Sequence, residues 1–146
     1  MAEQENAKLA RTLFDNLNAH DLDANDRLLA DDIKTEASGA AGLTTSEQSR
    51  AYTQGFLTAF PDLHFDVTLT VAQGDYVVVH WVGSGTHNGS LTTPSGGTIP
   101  PTGKKAVVPG SSTIEIKDGK VTHNWIHWDM VTLFAIGWAM DRWLKA

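Results

Sequence analysis

Residues 64–71, HFDVTLTV, and 76–89, YVVVHWVGSGTHNG, mark the point where the chain changes its period. Phe65, Val67, Leu69 and Val71 alternate with His64, Asp66, Thr68 and Thr70, the pattern of a half-buried antiparallel strand. QGD reads as the turn between two long strands, and Gly83 and Gly85 suggest a bend or bulge in the second. Upstream the spacing is helical. Leu9, Leu13 and Leu17, flanked by Ala10 and Phe14, form one apolar stripe and predict a first helix. Asp21 or Asp23 caps a short second helix carrying Leu28 and Leu29. DIKTEA is a short strand. Thr45 or Ser46 caps a third helix that turns Ala51, Tyr52, Phe56 and Phe60 inward and stops at Pro61.

Downstream, SLTTPSGGTIPPTGKK is a Pro- and Gly-rich loop, followed by AVVPGSSTIEI, the tight turn KDGK and the strand VTHNWIHWD. The last fifteen or so residues, with Phe134, Trp138 and Trp143, read as a C-terminal amphipathic helix. Helices first and a strand meander afterwards give an α+β protein, its helices on one face of a curved antiparallel sheet that wraps a pocket. The length, 146 residues, fits a single domain over 1–146.

Composition narrows the function classes. With no cysteine, disulfides, thiolate metal sites and a cysteine nucleophile are excluded. A formal net charge of −6 with Lys104–Lys105 as the one adjacent basic pair argues against a nucleic-acid partner. No apolar stretch approaches the roughly 18–20 residues of a membrane span, and the polar start reads as no signal peptide, so a cytoplasmic protein without a membrane partner is expected.

Chemistry is sought on the last strand. His123, Trp125, His127 and Asp129 share one face, and Asn124, Ile126 and Trp128 the other. The first face is taken to line the pocket, because it combines polar groups with large aromatics. With a two-residue turn, Ser112 then lies opposite Trp125 and Ile114 opposite His123. His123 and His127 are roughly 13 Å apart on a strand, too far to chelate one ion, so no metal is expected. GTIPPTGK lacks the spacing and the following Ser or Thr of a phosphate loop, and DLDANDRLLADD has Asp26 where a calcium loop needs glycine. Asp129, directly before MVTLFAIGW, suits a helix N-cap as well as an acid/base; His127 suits a hydrogen-bonded structural histidine as well as a catalytic one. Both alternatives stay open on the residues alone.

In the order NAHDLDANDRLLADDI, FPDLHFDV, GDYVVVHWVGSGTHNG, PPTGKKAVV, IKDGKV and HWDMVTLFAIG, the chain resembles the SnoaL-like polyketide cyclases, the ester cyclase group of the nuclear transport factor 2-like superfamily. The resemblance implies a cone-shaped barrel of curved sheet and helices with one deep pocket, no cofactor, and a homodimer or higher homo-oligomer. It implies a cyclase/isomerase closing an aromatic polyketide ester by intramolecular aldol chemistry. Asp129 matches the family's acid/base aspartate and Trp125 the tryptophan four residues before it. The expected site is therefore Asp129 as proton carrier, with its pKa raised by nearby tryptophans, and His127 orienting it or polarising a carbonyl. Trp81, Trp125 and Phe14 would hold a hydrophobic small-molecule substrate, with Ser112 and His87 beside them. Glu115, where the family often has a basic or imidazole group, departs from the pattern, as does FAIGW after the aspartate. The alternatives are a ketosteroid isomerase-like or epoxide hydrolase-like reaction, or a small apolar ligand carrier without chemistry. The epoxide hydrolase reading is disfavoured because Arg11, Arg27, Arg50 and Arg142 all fall on predicted helices. Ile126 and Trp128, taken to point outward, would form the dimer face.

Overall fold

The computed structural model describes residues 2–40, 42–92 and 96–134. Helix α1 spans Ala2–Asn18 and buries Ala10, Leu13 and Phe14, the stripe its spacing requires. Helix α2, Leu22–Asp26, is capped by Asp21, whose carboxylate accepts from the Ala24 N–H at 3.0 Å. Strand β1 is Leu29–Ala37. Helix α3, Ser46–Ala59, is capped by Thr45, which accepts from the Gln48 N–H at 3.1 Å, while Gln48 accepts from the Thr44 N–H at 2.8 Å. This reciprocal cap satisfies donors that a helix start leaves open. The helix ends at Phe60, because Pro61 has no N–H and disfavours helical geometry in the residue before it.

The strands follow: β2 His64–Gln73, β3 Tyr76–Thr86, the short pair β4 Leu91–Thr92 and β5 Thr98–Ile99, β6 Lys105–Lys117 and β7 Lys120–Trp128. The chain closes its described part with α4, Met130–Phe134. The C-terminal helix expected over the last fifteen residues lies otherwise outside the described residues. Five strands form one sheet in the order β1-β7-β6-β3-β2. All neighbours are antiparallel except β1 and β7, so the sheet is mixed and not antiparallel throughout. β1 is laid on the β7 edge from far away in sequence, where no hairpin dictates its direction. The curved sheet is an open cone with β1 and β2 at its edges, not a closed barrel.

The core lies between α1 and the sheet: Val77, Val79, Ile114, Ile116 and Val121 are buried beneath Ala10, Leu13 and Phe14. Each such aliphatic contributes about 1.5–3 kcal/mol by leaving water. Gly83 and Gly85 do not mark a bulge, because β3 and β6 pair without interruption from Tyr76↔Glu115 to Thr86↔Lys105. Gly85 serves close packing instead: a Cβ there would stand 2.9 Å from the Phe60 Cβ. A second cluster joins Phe60, Leu91, Ile99, Ala106, Val108 and Leu133, so the Pro- and Gly-rich loop is anchored by one buried apolar residue from each of its short strands. Among the described residues no helix is long and apolar enough to cross a membrane.

Candidate functional site

The KDGK turn decides which side chains meet inside. Asp118 and Gly119 both take positive φ, 53° and 73°, the geometry of a two-residue hairpin turn. Lys117 pairs with Lys120 and Ile116 with Val121 as expected. The next pair is Glu115 with His123, which leaves Thr122 as an extra residue in β7. The Thr122 hydroxyl donates to the Glu115 carboxylate at 2.7 Å and tethers this bulge. Every later side chain on the strand therefore faces opposite to a count from the turn. Ser112 pairs with Ile126, and Trp125 with Thr113. Asn124, Ile126 and Trp128 point inward; His123, Trp125 and His127 point outward.

The inward set encloses a cavity of about 180 Å³ between α1, α3 and the sheet. Phe14, Trp81 and Ser112 line it, as the sequence led us to expect. The Trp81 indole N–H donates to the Ser112 hydroxyl at 3.1 Å, and its ring meets Phe65 edge-on. Behind it stands Gly110, where a Cβ would lie 2.3 Å from the ring. Across the cavity the Trp128 indole N–H donates to the Tyr52 hydroxyl at 2.8 Å, and the Tyr52 hydroxyl donates to the Ser38 carbonyl at 3.3 Å. Burial pushes the Tyr52 phenol up to about 12, so it remains a hydrogen-bond donor at neutral pH. Thr35 and Ser49 share a hydrogen bond of 2.6 Å. Asn124 completes the polar lining on β7.

The other expected members lie elsewhere. Trp125 stacks on His123 at 3.6 Å on the outer face, where His123 pairs with Glu36 at 2.7 Å. His127 is exposed and borders a shallow surface hollow with His80, Ser111 and Asp129. Asp129 is exposed as well and caps α4: one carboxylate oxygen accepts from the Thr132 N–H at 3.1 Å and the other from its hydroxyl at 2.6 Å. These bonds hold its carboxyl below the ordinary carboxylate range, where desolvation by tryptophans was expected to raise it. His87 is fully buried but outside the cavity, packed on Phe60. Its Nδ1 accepts from the Thr102 N–H, and its backbone pairs with Gly103 and Lys104, so the GTHNG and PPTGK motifs clasp one another. Burial pushes the His87 imidazole down.

Sequence reasoning missed Asn124, Ile126, Trp128, Tyr52, Thr35 and Ser49. For β7 the signal was present, because Ile126 and Trp128 make the more apolar face and an apolar face ordinarily turns inward. Arg50 was also missed. Although it lies on α3, it lines the cavity rim with Asp26, binds that carboxylate, and reaches Asp23 at 2.7 Å. A place on a helix therefore did not remove arginine from the cavity.

A family model described as SnoaL-like polyketide cyclase matches residues 7–135. Among solved structures, a proposed SnoaL-like polyketide cyclase from Jannaschia sp. CCS1 superposes with a TM-score of 0.82 at 21% identity, over 92% of each chain. IdmH, a proposed polyketide cyclase from Streptomyces antibioticus, gives 0.75 at 23% identity over 90% of this chain and 96% of its own. A proposed ketosteroid isomerase from Kribbella flavida gives 0.66 at 21% identity over 87% and 79%. At such identities these likenesses speak for the fold alone. No curated protein matches the chain in sequence.

Proposed function

Since the chain belongs to the SnoaL-like polyketide cyclase family, we propose that it is a cofactor-free, cytoplasmic cyclase/isomerase closing a ring in a hydrophobic, carbonyl-bearing substrate. The observation that carries this reading is the mostly apolar cavity with a few separate neutral hydrogen-bonding groups on its wall. Phe14, Trp81 and Trp128 hold the apolar body. A base removes a proton from the carbon between two carbonyls, the enolate carbon attacks a second carbonyl of the same molecule, and the alkoxide so formed takes up a proton. Confinement of the two reacting carbons supplies much of the acceleration. The Tyr52 hydroxyl can stabilise enolate oxygen by exchanging its long bond to Ser38 for one to the substrate.

Asp129 is the proposed proton carrier by its position in the family, and to act it must release Thr132 and turn inward past Trp128. Replacement by Asn keeps the cap but cannot carry a proton; Ala loses both. Turnover of a poly-β-ketone ester should fall about 10²- to 10⁴-fold in both variants, while only Asp129→Ala lowers the melting temperature. Near-wild-type turnover by Asp129→Asn would leave Asp129 as a cap alone.

A ligand carrier without chemistry is the second reading. It is favoured by the lack of an unpaired carboxylate on the described cavity wall, where Asp26 is bound to Arg50. A protein that binds such ligands but turns none over, whatever stands at position 129, would establish it. We also propose a homodimer, with a changed face. Leu69, Val71 and Tyr76 are exposed on the outer side of the sheet, with the Tyr76 ring beside Trp125, whereas Ile126 and Trp128 are inside. Light scattering at micromolar concentration should give a dimer that Leu69→Glu splits; a monomeric wild type would refute it.

A further inference from the structure

Three polar side chains from three elements meet on one part of the cavity wall, and neither reading above uses them. Thr35 on β1 and Asn124 on β7 are register partners in adjoining strands, and both face inward. Ser49 comes from α3 and binds Thr35. Thr35 is 2% and Ser49 9% exposed, and around them the wall is aliphatic, with Ile33, Ile114 and Ile126. The Asn124 amide oxygen is buried and has no hydrogen-bond partner among the described residues.

An amide oxygen is an acceptor only, and folding ordinarily provides buried acceptors with a donor. The hydroxyls nearest in register are committed to each other, at 2.6 Å. The cluster carries no charge, so a charged ligand group would be desolvated here without a counter-charge. At the amide oxygen a ketone or ether would set acceptor against acceptor. A neutral hydroxyl supplies the missing donor, and its own oxygen can accept the one proton that the Thr35–Ser49 pair leaves uncommitted.

We propose that Asn124, with Thr35 and Ser49 beside it, forms a subsite for a neutral hydroxyl, phenolic or enolic, on the molecule held in the cavity. The proposal rests on reading the cavity as a small-molecule site and adds the class of group that orients the ligand. Asn124 is thus a specificity-determining residue. A polyketide in its enol form, or an aromatised product, presents such a hydroxyl.

The test compares 2-naphthol with 2-methoxynaphthalene, which differ in the donor, by titration calorimetry on the wild type and on Asn124→Leu. The ratio of affinities, naphthol over ether, should be about tenfold higher in the wild type than in the variant, the worth of one good hydrogen bond. Asn124→Leu should bind the ether at least as well as the wild type does. Its melting temperature should rise by about 2 to 4 °C, because an unpartnered acceptor has been removed. An equal ratio in the two proteins would overturn the subsite and leave the cavity reading standing. A fall in melting temperature would also overturn it, since the amide would then be satisfied within the fold. Failure of both compounds to bind the wild type would overturn the cavity reading and the subsite together.

Discussion

The two faces of β7 differ by one residue of register and by almost everything else. The outer face gathers the side chains usually associated with catalysis: His123 against Glu36, Trp125 stacked on that imidazole, and His127 beside Asp129 at the strand's end. The inner face offers an amide, an isoleucine and an indole. Reactive residue types are thus no guide to where a cavity lies, because solvated histidines and aspartates are the ordinary content of an exposed strand face. Thr122 makes the division. Without this extra residue, alternation from the turn would have matched the faces seen.

The sharpest way to break the comparison is to charge neighbouring positions. Ile126→Asp sets a carboxylate against the aliphatic wall and should cost about 3 kcal/mol, seen as a fall of about 6 to 12 °C in melting temperature. A smaller effect would mean that the position reaches water. Deleting Thr122 should have a moderate effect, about 1 kcal/mol, because it removes the bulge and its bond to Glu115 yet keeps Asn124, Ile126 and Trp128 inside. Loss of cooperative unfolding in that variant would show that the bulge is required for the fold.

Acid tests the buried imidazole of His87. The folded-state pKa of His87 lies below its ordinary 6.5, so its contribution to stability is whole above about pH 6.5. It is lost as the pH falls toward the lowered value. Denaturant midpoints measured from pH 7 to 5 should decline less steeply in His87→Gln than in the wild type; parallel slopes would assign the acid sensitivity elsewhere. The smallest effect is expected at His127→Thr, within about 0.5 kcal/mol of the wild type, because the side chain is exposed and threonine suits a strand.

Much of the fold was legible in the sequence. The leucine stripe of α1, the caps Asp21 and Thr45 and the stop at Pro61 each express a local rule that depends on near neighbours. The alternation in β2 does not hold along the strand, because Thr68 is an extra residue there and turns Leu69 and Val71 outward. The site was less legible, for two physical reasons. A bulge has no signature in a sequence such as VTHNW, yet it reverses every later side chain. The direction of β1 and the approach of Thr35 to Asn124 depend on contacts between distant segments, which periodicity does not report. Phe14, Trp81 and Ser112 do line the cavity, because the extra residues Thr68 and Thr122 lie on the neighbouring strands β2 and β7 and not on α1, β3 or β6. The choice between the faces of β7 favoured chemistry over hydrophobicity, and the ordinary burial rule would have chosen better.

Gly110 stands behind Trp81, outside the cavity, where even a methyl group would collide with the indole. Pushed from that side, the ring would move toward the cavity it lines, the space a ligand would fill. A single substitution at a position no ligand touches would therefore narrow the interior, and restoring glycine would widen it again. Ligand preference in this chain can drift through the back of its own wall, leaving every contacting residue unchanged.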